Sequence, residues 1–516
     1  MLLSPRACLG ACAILSCLVA RPCSAQSEPL DLWQAPKLSE IGAGSTPLWP
    51  SAATLQELSL ADSGKNAGSR PQHSSVEIHT EDSSGFAVFH NVLMRSEHEL
   101  LFYVADEEQA KSAKAAMPDM DKVLMSQYWN RADAWGSNEK LGSTVKITIM
   151  TPHQHAHIPD LCSQWVEHPA VWYSGSSLDH LNVFHLFFDN LVPIIGLVWR
   201  QGWLDLDAYA KRTHVPTSAE AKLVIMQRQP WALTSNFNWL LDQLTPDHGI
   251  SDRMVGSCFR TLMLGMDVNS KMYERSLSDQ KARNKRAGGA AFQAFAVEAV
   301  RRTHAQRGWH PLKLFKRGEG DRLRIGWVSR PRKHIQSRAV INEDQVLEAL
   351  RRRSDADVSV LRFRAQNLGR AIEEVHGLDI LMGVHGAGMS NSIWLQPGAV
   401  VIQLIPYGWH STDHNFFKLG VIFEEIAKTA GAHYLQWVNR DPKAAFFLPG
   451  DFHEGDPKHV LHPDQTTPLP RDKWLNGTHE RWWMFQDTMV DVPSLMNVVD
   501  EAVRLVKGRG STAGRR

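Results

Sequence analysis

The 516-residue chain lacks charge of one sign: 56 Lys and Arg stand against 55 Asp and Glu, for a formal net charge of +1. That balance excludes the basic surplus of a nucleic-acid binder. Cysteine is scarce, six in all. No internal repeat and no sustained heptad pattern occurs, which excludes a solenoid and a coiled coil. A phosphate loop is missing too, since "KRGEGDR" (Lys316–Arg322) carries a lone GxG. The C-terminal "GSTAGRR" has no lumenal retrieval signal. The N-terminal apolar run Ala7–Ala20 is shorter than the roughly 17–25 residues of a spanning helix.

That run, preceded by Arg6 and followed by "CSAQ" (Cys23–Gln26), reads as a signal peptide over residues 1–25. The alternative is a short membrane anchor, and either route delivers the chain to the secretory lumen, Golgi or endoplasmic reticulum. Cys8, Cys12, Cys17 and Cys23 lie in this leader and leave Cys162 and Cys258 beyond it. In an oxidising compartment two thiols point to a disulfide, with two separate buried thiols as the alternative. Asn476-Gly477-Thr478 is a glycosylation sequon. Eighteen tryptophans are compatible with stacking on sugar rings, although core packing accounts for most of them.

Residues 26–80, rich in Ser, Gly, Pro and Ala, read as a stem or linker. Short apolar alternations start the strands between Val76 and Val104. "HPAVWYSG" and "AKLVIMQRQ" predict strands flanking one long helix over "HLNVFHLFFDNLVPIIGLVW", and a further helix is expected over Ala290–Thr303. From "RLRIGWVSR" to "HYLQWV" strands and helices alternate, and "VPSLMNVVDEAVRLVKG" is a closing helix. The pattern predicts an α/β protein with parallel sheets covered on both faces. It implies two Rossmann-like domains with a cleft between them, over 81–310 and 311–480, and a C-terminal helix and tail over 481–516.

Three stretches carry the candidate chemistry. In "DILMGVHGAGMSNSIWL" the turn His385-Gly386-Ala387-Gly388 joins a buried strand to a helix expected from about Ser390. Glycines admit close approach of a ligand, and a helix start offers N–H groups to a phosphate. The same turn is also what a satisfied core histidine would need. In "WVSRPRKHIQSRAVINEDQV" a strand ends at Ser329, and Arg330, Arg332, Lys333 and Arg338 follow in one loop. Guanidinium groups suit a diphosphate leaving group; the bland alternative is a solvated basic loop. In "DHLNVFHLFFDN" His185 and Asp189 share one helical face amid apolar residues. They serve as a general base, or as a buried pair fixing the helix.

Signals for a metal are poor. The Asp119/Asp121, Asp205/Asp207 and Asp355/Asp357 pairs match a loose DxD pattern that arises by chance, and His153, His155 and His157 read as an exposed cluster. No metal and no other cofactor is expected.

Taken in order, "CSQWVEHPAVWYSG", "NVFHLFFDNLVP", the region around Cys258-Phe259, "SR…SRAVINEDQV" and "GVHGAGMSNSIWLQPGAVVIQL" resemble glycosyltransferase family 61 over about Cys162–Trp437. The resemblance implies a GT-B type fold, an inverting reaction, a UDP-sugar donor and a glycan or glycoprotein acceptor. It assigns nucleotide-sugar binding to Arg330, Arg338, Asn342, Glu343, His385, Gly386, Gly388 and Asn391, and the acceptor-side base to His185 or Asp189. That makes 81–310 the acceptor-side domain and 311–480 the nucleotide-sugar domain. Gln403 departs from the family's usual Glu, and Met389-Ser390 from its usual Leu-Thr. "CSQWVEHP" and "IQSRAVINEDQV" lean towards xylose transfer, "AGAHYLQWVNR" towards GlcNAc transfer; xylose is slightly favoured. The rival is a catalytically inactive lumenal glycan-binding protein of the same fold.

Overall fold

The computed structural model describes residues 73–512 apart from 82–83, 97, 118–144, 155–160, 174–182, 185–186, 189–190, 213, 215, 218–219, 221–222, 228–234, 266–278, 307–321, 331–337, 364–367, 408–416 and 447–485. Among the described residues nine strands make the first sheet: β1 (Ser75–Glu81), β2 (Ser84–Ser96), β3 (Glu99–Tyr103), β4 (Lys146–Met150), β5 (Gln164–Val166), β6 (Ala170–Tyr173), β7 (Val224–Gln227), β8 (His248–Ile250) and β9 (Ser257–Gly265). Their order is β4-β3-β2-β9-β6-β7-β8, with β1 on β2 and β5 on β9.

This sheet is mixed, whereas a Rossmann-like first domain was expected. β5, β6, β7 and β8 enter parallel ladders, but β1–β2, β2–β3 and β2–β9 are antiparallel. The cause is local. Two residues separate β1 from β2 and two separate β2 from β3, and links this short join only antiparallel strands. Phe89, Phe102, Trp172 and Leu262 are buried in its core. A disulfide joins Cys162, just before β5, to Cys258 on β9.

Among the described residues five helices accompany this half: α1 (Glu107–Ala116), α2 (Val192–Arg200), α3 (Leu206–Lys211), α4 (Ser235–Leu244) and α5 (Asp279–Gln306). The long helix expected to run into α2 is interrupted. Phe187, Phe188 and Leu191 take the wider π-type winding, and regular helix starts at Val192 with Pro193 in its first turn. α5 extends well beyond the expected Ala290–Thr303. It crosses α2 closely: a Cβ on Gly196 would stand 2.9 Å from the Cα of Gly288.

The second sheet is β10 (Leu323–Val328), β11 (Ala356–Leu361), β12 (Ile380–Val384), β13 (Val400–Ile405) and β14 (His433–Val438), in the order β11-β10-β12-β13-β14 and parallel throughout. Every residue of β12 and β13 is buried, as in a sheet covered on both faces. The covering helices are α6 (Glu343–Arg351), α7 (Leu368–His376), α8 (Phe417–Thr429) and α9 (Val492–Thr512). Trp327 and Trp437 pack with Val346, Leu350, Leu495 and Val499 on the face covered by α6 and α9; these tryptophans are core. A small pair, β15 (Ala445–Phe446) with β16 (Asp487–Thr488), returns the chain to the start of α6, where Val340 bridges Thr488. Both sheets lie within one compact unit, Pro36–Arg516. Among the described residues no helix is long and apolar enough to cross a membrane.

Candidate functional site

In the second sheet the winding reverses between β10 and β12, because β10 pairs with β11 on one side and β12 on the other. A doubly wound sheet opens a crevice at the carboxyl ends of two such strands. Beyond β10 the Ser329 N–H donates to the Leu361 carbonyl at 2.9 Å, and its hydroxyl donates to Glu343 Oε1 at 2.8 Å. Arg330 then reaches across to the turn after β12, where its Nη1 donates to the His385 carbonyl at 3.3 Å. A Cβ on Gly386 would lie 1.7 Å from that Nη1, and Gly386 has φ +155°. At Gly388 a Cβ would meet Val328 Cγ1 at 2.9 Å. The glycines of the turn therefore admit Arg330 and β10 themselves.

The helix expected from Ser390 is a 3₁₀ helix, Ala387–Trp394. Its three-residue repeat aligns i with i+3, and the side chains use that alignment. Asn391 Nδ2 donates to the Gly388 carbonyl at 3.0 Å, and Trp394 Nε1 donates to Asn391 Oδ1 at 3.1 Å. Asn391 thus holds the turn's shape. His376 of α7 contacts the Trp394 carbonyl at 2.8 Å through Nδ1, and burial lowers its pKa.

His385 is buried at the centre. Its Nδ1 lies 3.1 Å from Gln403 Nε2 of β13, and its ring meets Phe423 of α8 edge-on at 4.9 Å. Burial first, then the charges of Arg338 and Arg330, push its pKa well down, so the imidazole is neutral. Arg338 has φ +43°, a left-handed conformation that costs a non-glycine residue about 1–2 kcal/mol. Burial, then Arg330, lowers the Arg338 pKa well below its ordinary value. Burial lowers that of Arg330 as well, opposed by Asp487. Asp487 of β16 is buried and accepts from the Ala339 N–H at 2.7 Å. Two guanidiniums, a neutral imidazole and one carboxylate converge at the crevice.

The other candidate residues are placed as follows. Asn342 Nδ2 donates to the Val490 carbonyl at 2.8 Å, and its Oδ1 accepts from the Val490 N–H at 2.9 Å. Its amide ties the returning C-terminal segment to α6. Glu343 anchors Ser329. His185, Asp189, Asn476, Arg332 and Lys333 lie outside the described residues. Their neighbours locate the first motif: Phe184 contacts Phe423 at 6.2 Å, the same ring that touches His385. Phe187 packs on Phe292 at 5.5 Å and on Trp394 at 5.5 Å. Phe184 and Phe187 therefore lie beside the turn that carries His385.

Two of the DxD pairs are structural. Asp205 caps α3, accepting from the N–H groups of Asp207 and Ala208 at 3.0 Å. Asp355 pairs with Arg353 at 3.0 Å and Lys507 at 2.9 Å, and Asp357 with Arg322 at 3.1 Å. Asp119, Asp121, His155 and His157 lie outside the described residues. Among the described residues no group of three His, Cys, Asp or Glu is placed to hold a metal ion. Sequence reasoning missed Asp487 and Phe423, which sit in no recognisable motif; Tyr434 lay within "AGAHYLQWVNR" without an assigned role, and Gln403 stood out only as a departure from the family pattern.

Residues 183–402 match the family model described as Glycosyltransferase 61. The chain carries a glycosyltransferase 61 region. That region runs from the residue before Phe184 to the residue before Gln403, so it takes in Arg330, Arg338 and the His385 turn. The chain is similar to the protein named Protein O-linked-mannose beta-1,4-N-acetylglucosaminyltransferase 2 in several vertebrates. Against that of Takifugu rubripes it is 21% identical over 343 residues, 63% of this chain and 53% of the relative. Against those of Canis lupus familiaris and Homo sapiens it is 23% and 22% identical over 343 residues, 64% of this chain and 53% of each relative. The chain with its glycosyltransferase 61 region thus spans about half the length of the curated relatives it matches.

Proposed function

We propose that the chain is an inverting glycosyltransferase that moves a sugar from a UDP-sugar to a hydroxyl of a glycan or glycoprotein in the secretory lumen. The observation that carries this reading is the convergence of Arg330, Arg338 and neutral His385 at the carboxyl ends of β10 and β12. Preorganised cations facing a departing diphosphate stabilise charge as it develops, without solvent reorganisation. In the reaction the acceptor oxygen bonds to the anomeric carbon as the bond from that carbon to the diphosphate breaks. The acceptor proton goes to His185 or Asp189, and the leaving charge rests on the two guanidiniums. No metal is required in this scheme. Asn342, Glu343 and Asn391 support the loops that present these groups.

A GT-B type arrangement fits this reading, with the second sheet as the donor half and the segment carrying Phe184 as the acceptor side. The relatives' names favour GlcNAc over xylose as the transferred sugar, so UDP-GlcNAc is the donor to test first and UDP-xylose second. The leader, the sequon and the Cys162–Cys258 disulfide support a lumenal location.

The test is calorimetry of the purified chain with UDP and each UDP-sugar, with EDTA or with manganese, followed by transfer assays on O-mannosyl and N-glycan acceptors. Binding of UDP in EDTA, lost in Arg330→Ala, supports the donor site. Absence of any UDP binding overturns it. Binding without turnover on any acceptor supports a second reading, a glycan-binding protein of this fold, which the Gln403 departure favours.

A further inference from the structure

Gln403 projects from β13 between two hydrogen-bonding partners. On one side its Oε1 lies 2.5 Å from the Tyr434 hydroxyl, and on the other its Nε2 lies 3.1 Å from His385 Nδ1. Tyr434 is on β14, as is Gln436, whose Nε2 donates to the Tyr434 hydroxyl oxygen at 2.9 Å. Gln403 and Gln436 are directly paired across the two strands, so residues 403, 434 and 436 share one face of the sheet. The chain of bonds starts at exposed Gln436 and ends at buried His385.

Each bond fixes the direction of the next. With the Gln436 amide donating to its oxygen, Tyr434 donates its own proton to Gln403 Oε1. That orients the Gln403 amide nitrogen, which can only donate, towards His385. His385 Nδ1 must then accept, and the single proton of a neutral imidazole resides on Nε2.

We propose that Gln403 is a positioning residue that sets the tautomer of His385, holding it as an uncharged Nε2–H donor. The inference deepens the nucleotide-sugar reading and rests on it only for the partner: an uncharged Nε2–H is a donor of the kind a phosphate oxygen accepts from. The surrounding groups agree. His385 is faced by Arg330 from the end of β10, Arg338 from the loop before α6, Phe423 from α8 and Gln403 from β13. Asp487 of β16 acts on Arg330, and Tyr434 of β14 acts through Gln403. Two cations near a buried ring oppose an imidazolium. A carboxylate at 403 would reverse both features. It accepts only, so Nδ1 would have to carry a proton, and its charge would favour the doubly protonated ring.

The experiment reads the tautomer directly, in the ligand-free full-length chain labelled with ¹⁵N-histidine. Long-range proton–nitrogen correlations distinguish the two ring nitrogens, and the His385 signal is identified by its loss in His385→Gln. The wild type is expected to show Nε2 protonated and to stay neutral as the pH is lowered through the ordinary histidine range. Tyr434→Phe, which removes only the donor to Gln403 Oε1, is expected to give a mixture of tautomers. Gln403→Glu is expected to protonate Nδ1 and to raise the titration midpoint. UDP binding to that variant, by calorimetry, should then strengthen as pH falls, approaching about tenfold per pH unit for one linked proton. Wild-type binding should show no such slope.

An Nδ1–H wild type overturns the proposal. So does an Nε2–H signal unchanged in both variants. If Gln403→Glu does not fold, Tyr434→Phe, altered at a partly exposed side chain, decides alone. The expected tautomers with no UDP binding at any pH support the role of Gln403 and overturn the nucleotide reading, so the two fail separately.

Discussion

Arg330 and Gly386 interlock: the arginine's Nη1 occupies the space that a side chain on the glycine would need, 1.7 Å from the Cβ position. The contact locks the loop after β10 to the turn after β12 and sets the spacing of the cationic groups. Gly386→Ala is expected to expel the guanidinium and to strain a backbone at φ +155°, at a cost of roughly 1–3 kcal/mol. Thermal scans with and without UDP check this. The midpoint should drop, and the UDP-induced rise should vanish. A variant that kept both would show that the contact is not what shapes the site.

Arg338 is held left-handed at φ +43° and is buried beside a second arginine. Strain of this kind marks sites where function outweighs stability. Arg338→Gly relieves about 1–2 kcal/mol of backbone strain and removes a like charge from Arg330. The expectation is a urea midpoint that holds or rises while UDP affinity falls by about tenfold, the loss of one charge-assisted contact. A midpoint that falls with affinity intact would contradict it.

Two buried histidines link stability to pH. Burial depresses the pKa of His376 and of His385 below the ordinary histidine value. The unfolded chain therefore takes up protons at a higher pH than the folded chain does. Stability is fully present above about pH 6.5 and is lost as the pH falls through the folded values. Urea midpoints should decline between about pH 7.5 and pH 5. In His376→Gln, which keeps a donor for the Trp394 carbonyl and does not titrate, the decline should be smaller.

The crossing of α2 and α5 gives a pair of substitutions with opposite signs. Alanine at Gly196 would place its Cβ 2.9 Å from the Gly288 backbone, while alanine at Gly288 meets its nearest atom at 3.6 Å. Gly196→Ala should destabilise by about 1–3 kcal/mol, the range for overpacking. Gly288→Ala, an ordinary contact in a helix interior, should be neutral or gain up to about 1 kcal/mol. Chemical denaturation of the two variants side by side measures the asymmetry.

Much of this was legible in the chain itself, for physical reasons. Apolar periodicity sets strand and helix, so the second half could be read from "RLRIGWVSR" onward, and buried runs such as "ILMGV" announced a parallel sheet. A glycine turn at a strand end marked the His385 crevice, because such sheets open there. The sequence determined the elements, their order and the chemical types available, since these depend on neighbours a few residues apart. Tertiary structure decided what depends on residues brought together from afar. It made the first sheet mixed by pairing β2 with distant β9, joined Asn342 to Val490, placed Asp487 beside Arg330, and turned Gln403 towards His385. Their geometry follows from how distant strands and helices pack, which no local pattern encodes.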